Sequence, residues 1–384
     1  MINVIHSYPI WLPQTQTWMY NQVRFLPREI VRSHIVCERT ENLDQFRIPN
    51  IYSLHKLSPL RYYWEKAVRK LGFSSYNPFL IEQARKLKAP LLHTHFGHFG
   101  WKNIVAAKKC NMKHIVTFYG LDVHYLPTNF SIWKSRYMEL FEHVDCILCE
   151  GSYMADSIHK LGCPKDKIRI HHLGIDVSSV PFKPRVWAKG QVLKVLIAST
   201  FAEKKGIPYA IEALGGLKDD FPIEITIIGD AKNTKPGLSE KRKIIRIIND
   251  YQLHSNVKML GLQPHSRLME EAYKNHIFIA PSITGNDGMT EGGAPVTLID
   301  MAATGMPIIS SFHCDIPEVI RHKETGLLSK ERSVTELRNN IKWFIDNPEQ
   351  WDILLTAGRK HLKNEYNSPK LGNSLSYIYK EIIS

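Results

Sequence analysis

Short apolar runs alternate with amphipathic stretches along nearly the whole chain, and the scheme is played twice. In the first half the runs are Ile2–Ile5, Ser33–Cys37, Leu91–His93, His114–Phe118, Cys146–Cys149 and Ile168–His171. In the second half they are Leu193–Ala198, Ile223–Ile228, Val257–Leu260, Ile277–Ala280 and Pro307–Ser310. Near-continuous apolar runs of this length fit strands buried on both faces, the habit of parallel sheets. Parallel neighbours need long crossovers, and helical patterns such as Trp101–Lys109, Trp133–Phe141, Pro208–Leu217, Glu240–Tyr251, Ser266–Tyr273 and Val296–Thr304 supply them. The expectation is two α/β domains, each a parallel sheet covered by helices. VSSVPFKPRVWAKG, residues 177–190, reads as a Pro/Lys-rich linker. It separates a domain over 1–185 from one over 190–365. Residues 333–345 and 348–383 are helical in pattern.

The formal net charge of +13 is lopsided. Residues 1–190 hold 26 basic and 14 acidic side chains, residues 191–384 hold 24 and 23. A one-sided basic domain points to an anionic partner. At 43% hydrophobic and 23% charged, the composition is that of a globular protein, not a disordered or fibrous one. No apolar run approaches the roughly 20 residues needed to cross a bilayer. The opening MINVIHSYPI lacks the basic stretch and apolar core of a signal peptide. Six Cys do not make a disulfide scaffold, so a cytoplasmic setting is expected. Cys146 and Cys149 lie in a strand pattern, which puts them on opposite faces as core residues.

In parallel sheets, ligands bind beyond the carboxyl ends of the strands. The segment Glu291-Gly-Gly-Ala-Pro-Val-Thr-Leu-Ile-Asp300 follows such a strand. Its glycines let a backbone approach a ligand closely. Pro295 suits a first helical turn. The helix start then offers N–H groups and a partial positive charge, which is an anion site. Two carboxylates, Glu291 and Asp300, flank it.

This segment, with Ala302-Ala-Thr-Gly305-Met-Pro307 after it, resembles the signature of glycosyltransferase family 4, retaining enzymes of the GT-B fold that use sugar nucleotides. The second acid is Asp rather than Glu, and lies one residue further on than in the family pattern. The resemblance implies two Rossmann-like domains facing a cleft, with residues 366–384 as a helix crossing back to the first. It also implies that Glu291 holds donor-sugar hydroxyls and Asp300 the ribose, while Gly293, Ala294 and Pro295 face the diphosphate. Ala198-Ser-Thr-Phe-Ala-Glu-Lys-Lys205-Gly206 is similar to the family's Gly-Arg-x-x-x-Lys-Lys-Gly. Lys205 then meets the diphosphate, and Thr200 stands where the family has Arg. Without a metal, such a site must offset the leaving diphosphate with cations and helix termini. Ile228-Gly229-Asp230 and Met259-Leu-Gly261-Leu262 match a turn and a base-binding stretch of the same family.

The first half resembles the family more loosely. His93-Thr-His95-Phe-Gly-His98 follows a strand. A metal site is the alternative reading of these histidines, but no acidic or Cys partner is near in sequence, so no metal is expected. Thr117-Phe-Tyr119-Gly120-Leu-Asp122 carries Tyr where the family has a His proposed to act in catalysis. A phenol with a pKa near 10 is a poor base at neutral pH. Asp122 is therefore the candidate for the acceptor hydroxyl, with a turn cap as its other reading. Thr17, in the stretch opening the first helix, together with His95 and Tyr119 is expected on the acceptor side. Arg61, Lys66, Arg69 and Lys70 interleave with aromatics over 61–79, the pattern of a helix on an anionic membrane surface.

The chain is thus expected to be a hexosyltransferase-type enzyme without cofactor. Its partners would be a nucleotide sugar and a lipid-linked or oligosaccharide acceptor for cell-surface polysaccharide, at the inner face of the membrane. The alternatives are another GT-B activity, such as a nucleotide-sugar epimerase or a phosphorylase, or a catalytically silent GT-B binder. A nucleic-acid partner is not expected, since no nucleic-acid motif is present.

Overall fold

The computed structural model describes residues 1–13, 17–73, 75 and 77–384, with only the backbone of Thr17. It divides into two units. Unit 1 is Met1–Asp176 with Tyr366–Ser384, and unit 2 is Val177–Glu365.

Unit 1 carries β1 (Ile2–Ser7), β2 (Ile10–Trp11), β3 (Val31–Cys37), β4 (Arg39–Thr40), β5 (Ile51–Ser53), β6 (Leu91–His95), β7 (Lys113–Thr117), β8 (Cys146–Cys149) and β9 (Ile168–Ile170). Among the described residues the main sheet runs β5-β3-β1-β6-β7-β8-β9, and β2 pairs with β4 beside it. Each neighbouring pair is parallel. The chain winds outward from β1 in one direction and from β6 in the other, so the switch point lies between these two strands. The helix Gly97–Lys109 lies flat on this sheet because its glycines permit it. A Cβ on Gly97 would sit 2.2 Å from the Phe118 ring, and one on Gly100 2.8 Å from Val116.

The C-terminal helix Ser368–Ile383 belongs to unit 1. Its Leu375 and Tyr379 are fully buried among Val4, Leu91, Ile115 and Leu148. The Tyr379 hydroxyl lies 2.6 Å from His93 Nδ1 in the same core.

Unit 2 carries β10 (Leu193–Ala198), β11 (Ile223–Ile228), β12 (Val257–Gly261), β13 (Ile277–Ala280), β14 (Ile308–Ser311) and β15 (Leu327–Ser329). The order is β12-β11-β10-β13-β14-β15, parallel throughout, with its switch point between β10 and β13. Side chains cap the helices where the sequence offers them. The Thr234 hydroxyl accepts from the N–H of Gly237, and that of Ser333 from the N–H of Glu336.

Residues 177–190 are not a free linker. Trp187 is buried in the unit 2 core. The buried Arg185 guanidinium donates to the carbonyls of Ala272, Asn275, Lys183 and Thr304. The division between units therefore falls at Asp176, earlier than the Pro/Lys-rich composition suggests. An arginine that satisfies buried carbonyls is structural, although its composition reads as surface.

The end of β11 is pinned to the end of β10 by a glycine. Gly229 has φ +132, and a Cβ there would stand 1.8 Å from the Ser199 carbonyl oxygen. Gly229→Ala is expected to destabilise unit 2 by about 2–4 kcal/mol, combining strain with displaced backbone. Urea unfolding that leaves the midpoint unchanged would refute this contact.

Candidate active site

The site in unit 2 is assembled from three strand ends. After β10 the chain makes a short 3-10 turn, Glu203–Lys205, and enters the next helix through Gly206 at φ +62. A Cβ on Gly206 would lie 2.0 Å from the Pro281 carbonyl oxygen, so only glycine lets this turn press against the loop after β13. The N–H of Ile283 donates to the Lys204 carbonyl at 2.8 Å and locks the two loops together.

That docking places both lysines on one carboxylate. Lys205 Nζ stands 2.8 Å from Glu291 Oε1 and 2.9 Å from its Oε2. Lys204 Nζ is 3.1 Å from Oε2, and the Ser282 hydroxyl donates to Oε1 at 2.8 Å. The Glu291 side chain is only 5% exposed. Burial would raise its pKa, but Lys204, Lys205 and Ser282 outweigh burial and hold the carboxyl well below the usual range. Lys205 is pushed down by burial, against the pull of Glu291. Two ammoniums on one carboxylate leave a net positive cluster. The four lone-pair positions of Glu291 are already taken by these donors.

Behind Glu291, its own N–H donates to His313 Nε2 at 3.1 Å, while His313 Nδ1 faces Glu331 at 2.7 Å. A nitrogen that accepts from an amide carries no proton, so the His313 proton sits on Nδ1. Glu331 also accepts from the N–H of Thr284, and Glu203 accepts from Asn286. The polar loop between β13 and Glu291 is thereby fastened at both ends.

Beside this cluster the helix Val296–Ala303 begins. Pro295 is its N-cap, and no side chain caps it. Its first turn therefore presents backbone donors, as the sequence predicts for an anion site. A small cavity of about 10 Å³ at the β10 and β13 ends is lined by Ser199, Lys205, Ser282, Pro295 and Thr297. It marks the switch point of the sheet. Gly293 is buried, and Thr200 and Ala294 are half-buried in the neighbouring loops. Asp300, on the same helix, is buried and accepts from His265 Nε2 at 3.3 Å. That hydrogen bond raises the His265 pKa. Leu262 is 60% exposed, and the Gly229 N–H donates to the Gly261 carbonyl beside it.

Lys204, Ser282, His313, Glu331 and His265 complete this constellation without having been singled out as site residues. Ser282 had a signal, since it follows a strand end. His313 and His265 had none within their own segments, because their partners are brought in from other loops.

In unit 1, Asp122 is a turn cap rather than an exposed acid. It is fully buried, and its oxygens accept from the N–H groups of Gly97 at 2.7 Å and Tyr119 at 2.9 Å. Burial raises its pKa to about 6 despite those donors. The Tyr119 hydroxyl lies 2.6 Å from His95 Nδ1, its ring packs 4.0 Å from Trp18, and burial drives its phenol pKa well up. His95 is fully buried, and burial lowers its pKa to about 3. The histidines that meet are His6, His93 and His95, with nitrogens within 4.8 Å of one another, while His98 turns to Phe99. His93 uses both nitrogens, on Tyr379 and Thr117. Thr17 opens the helix Thr17–Arg24, and its side chain lies outside the described residues.

The four basic residues of the helix Pro59–Lys70 separate into two groups. Arg61 is committed to Glu65 at 2.8 Å and Glu82 at 2.6 Å. Lys66, Arg69 and Lys70 instead line a cavity of about 300 Å³. They do not form a flat basic face.

The six cysteines are free thiols, and Cys146 and Cys149 are buried. Among the described residues no helix is long and apolar enough to cross a membrane.

Comparison with known proteins agrees with this architecture. Residues 15–179 match the Glycosyltransferase Family 4 domain, and residues 181–361 match Glycosyl transferases group 1. The chain is 28% identical over 334 residues to WcaL of Escherichia coli, a glycosyltransferase assigned to colanic acid biosynthesis, covering 82% of this chain and 77% of the relative. It is 29% identical over 294 residues to the amylovoran biosynthesis glycosyltransferase AmsK of Erwinia amylovora, covering 74% and 69%. In structure it is similar to Anabaena HepE in complex with UDP and glucose, with a TM-score of 0.75 at 13% identity over 99% of this chain and 100% of the other. It is also similar to the sucrose-phosphate synthase of Thermosynechococcus elongatus, with a TM-score of 0.76 at 16% identity over 100% and 99%. At such identities the solved structures establish the fold alone. The chain belongs to the family 4 glycosyltransferases, and its two units are the parallel-sheet domains of a GT-B enzyme.

Proposed function

We propose that this glycosyltransferase moves a hexose from a nucleotide-sugar donor to a lipid-linked glycan in exopolysaccharide assembly, with retention of anomeric configuration. The observation that carries the donor half is the Lys204–Lys205–Glu291 cluster beside an uncapped helix start in unit 2. Two cations, one carboxylate and a helix N-terminus form a receptor for a diphosphate, and they supply its positive field without a metal. Lys205 is the group that meets the leaving diphosphate, and Glu291 holds both lysines in place. Asp300 and the stretch around Leu262 receive the nucleoside. The relatives named for colanic acid and amylovoran biosynthesis support exopolysaccharide as the product.

The chemistry follows from what unit 1 withholds. Asp122 and Tyr119 are buried and bonded, so neither is free to take the acceptor's proton. In the retaining scheme the acceptor oxygen bonds to the anomeric carbon as the bond to the diphosphate breaks, on the same face. The acceptor's proton passes to a phosphate oxygen of the leaving group. Such a step needs a stabilised diphosphate more than a protein base, which suits a site rich in cations. The enzyme acts as a peripheral protein at the inner face of the cell membrane.

A thermal-shift panel of UDP-, GDP- and ADP-sugars tests the reading, because a ligand of the native state raises its melting temperature. One nucleotide series is expected to stabilise the protein, with EDTA making no difference. The proton-coupled product with an α-donor should be an α-glycoside. Stabilisation by none of them, or an inverted product, would sink the proposal.

A further inference from the structure

Four neighbouring strands of unit 2, β10-β13-β14-β15, each contribute one side chain to a single row beyond their carboxyl ends. Glu331 follows β15, His313 follows β14, Glu291 closes the loop after β13, and Lys205 ends the turn after β10. The contacts run in strand order. Glu331 Oε1 is 2.7 Å from His313 Nδ1, His313 Nε2 is 3.1 Å from the Glu291 amide nitrogen, and Glu291 Oε1 is 2.8 Å from Lys205 Nζ. The donor reading above gives Glu291 and Lys205 their work. It gives none to His313, which is 2% exposed and so meets no ligand itself.

The ring is held in one tautomer from both ends. At Nε2 stand the Glu291 amide and, 3.3 Å away, the Cys314 thiol. Burial pushes that thiol up to about 12, so both neighbours of Nε2 carry a proton. At Nδ1 stands a carboxylate. Burial would raise the Glu331 carboxyl, but the Thr284 amide and the His313 ring outweigh it and hold it below its usual range. The Nδ1–H therefore donates to Glu331, and the Nε2 lone pair is aimed at the Glu291 N–H.

The rest of the loop after β13 hangs on the same two strand ends. The Thr284 N–H donates to Glu331 Oε2 at 2.8 Å, the Arg332 guanidinium to the Thr284 carbonyl, and the Ser311 hydroxyl to the Ser282 carbonyl. His313 extends this fastening to the far end of the loop, at the residue whose carboxylate gathers both lysines. A side chain that must meet Lys204, Lys205 and Ser282 at once depends on where its own main chain sits.

We propose that His313 is a positioning residue for sugar transfer. Its Nε2 fixes the main chain of Glu291, and through it the carboxylate that holds Lys204 and Lys205 toward the diphosphate, while Glu331 fixes the ring. This role rests on the donor reading above and adds to it a residue that touches no substrate. A ring that only filled space would need no acceptor nitrogen. A positioning ring fails without one.

Two variants of the full chain separate these cases. His313→Gln can place an amide oxygen where Nε2 stands, whereas His313→Asn reaches only the Nδ1 position and leaves the Glu291 N–H unmet. With the nucleotide sugar that stabilises the protein, His313→Asn should lower kcat about 10–10²-fold, more than it raises the donor KM. His313→Gln should recover most of that loss. Equal kcat in the two variants, whether lowered or normal, makes His313 a packing residue and overturns the proposal. The wild type supplies a test that needs no variant to fold. The ¹⁵N spectrum of its ring-labelled histidines, with His313 assigned by through-bond correlation, should show a protonated Nδ1 and a bare Nε2 at neutral pH. A proton on Nε2 overturns the proposal. If the wild type binds no UDP-, GDP- or ADP-sugar, the donor reading fails instead, and lysine labelling still decides on His313. Reductive dimethylation of Lys204 and Lys205 should rise several-fold in His313→Asn and not in His313→Gln, and unchanged labelling in His313→Asn overturns the role.

Discussion

Lys205→Ala should lower sugar transfer by about 10²–10³-fold while unit 2 stays folded. The substitution removes the ammonium nearest Glu291, but that carboxylate keeps Lys204 and the Ser282 hydroxyl. It is not orphaned, so the cost falls on the diphosphate and not on the fold. Glu291→Ala behaves differently. It leaves two partly buried ammoniums, previously joined through one carboxylate, side by side without it. Breaking a buried pair in this way costs about 3–5 kcal/mol. Activity and melting temperature should therefore fall together in Glu291→Ala, and only activity in Lys205→Ala. Steady-state transfer and thermal unfolding on both variants decide it. Near-normal turnover in Lys205→Ala would remove the lysine from the mechanism.

Unit 1 is expected to lose stability well before unit 2 as the pH falls from 6.5 toward 4.5. His6, His93, His95 and His114 are fully or almost fully buried there, and burial lowers each of them. His95 is held at about 3 and His114 at about 4. In the unfolded chain each titrates near 6.5. Between that value and the folded one, the unfolded state binds the proton and the native state does not, so stability falls with pH. Each such histidine then costs about 1.4 kcal/mol per pH unit. Asp122 works the other way. Its folded pKa of about 6 lies above the unfolded value, so between pH 6 and about 4 acid favours its native form. At pH 5, His95 and His114 together cost about 4 kcal/mol, and Asp122 returns about 1.4. The remaining loss is a large part of a typical domain's stability. Hydrogen exchange at pH 7 and pH 5 should show unit 1 peptides losing protection first. Equal protection at both values would mean the histidine cluster is hydrated or partnered.

The strands that bury both faces were legible in the sequence. Leu193–Ala198, Ile223–Ile228 and Ile277–Ala280 coincide with β10, β11 and β13. Three-residue strands such as β5 and β15 are too short to carry a period, and they emerge only from pairing with their neighbours. The 177–190 segment misleads because Arg185 and Lys183 read as solvent-facing by type. Buried carbonyls of Ala272, Asn275 and Thr304, from two other segments, claim the Arg185 guanidinium instead.

The candidate site of unit 2 drew notice in the sequence where one segment holds the charged and helix-start residues together, as with Glu291 and the Pro295 helix start. Lys205 was found by the likeness of its segment to the family's Lys-Lys-Gly pattern. Its neighbour Lys204 was not carried forward, because which side of a 3-10 turn faces inward is set by Gly206 against Pro281. Asp122 shows the reverse failure. A carboxylate after a Gly turn looks like an acid for catalysis or a cap, and only the positions of the Gly97 and Tyr119 amides decide between them.

The return of residues 366–384 to unit 1 has a consequence for how the protein is made. Leaving the ribosome, the first 176 residues must wait for the whole of unit 2 before Leu375 and Tyr379 arrive to close their sheet. At usual elongation speeds that delay is about 10–40 s. Throughout it, the buried side of β1, β6 and β7 lacks its last layer, and His93 lacks the hydroxyl it meets in the finished core. The domain begun first is thus completed last, and nascent chains are most exposed to chaperones and proteases through their earliest-made half.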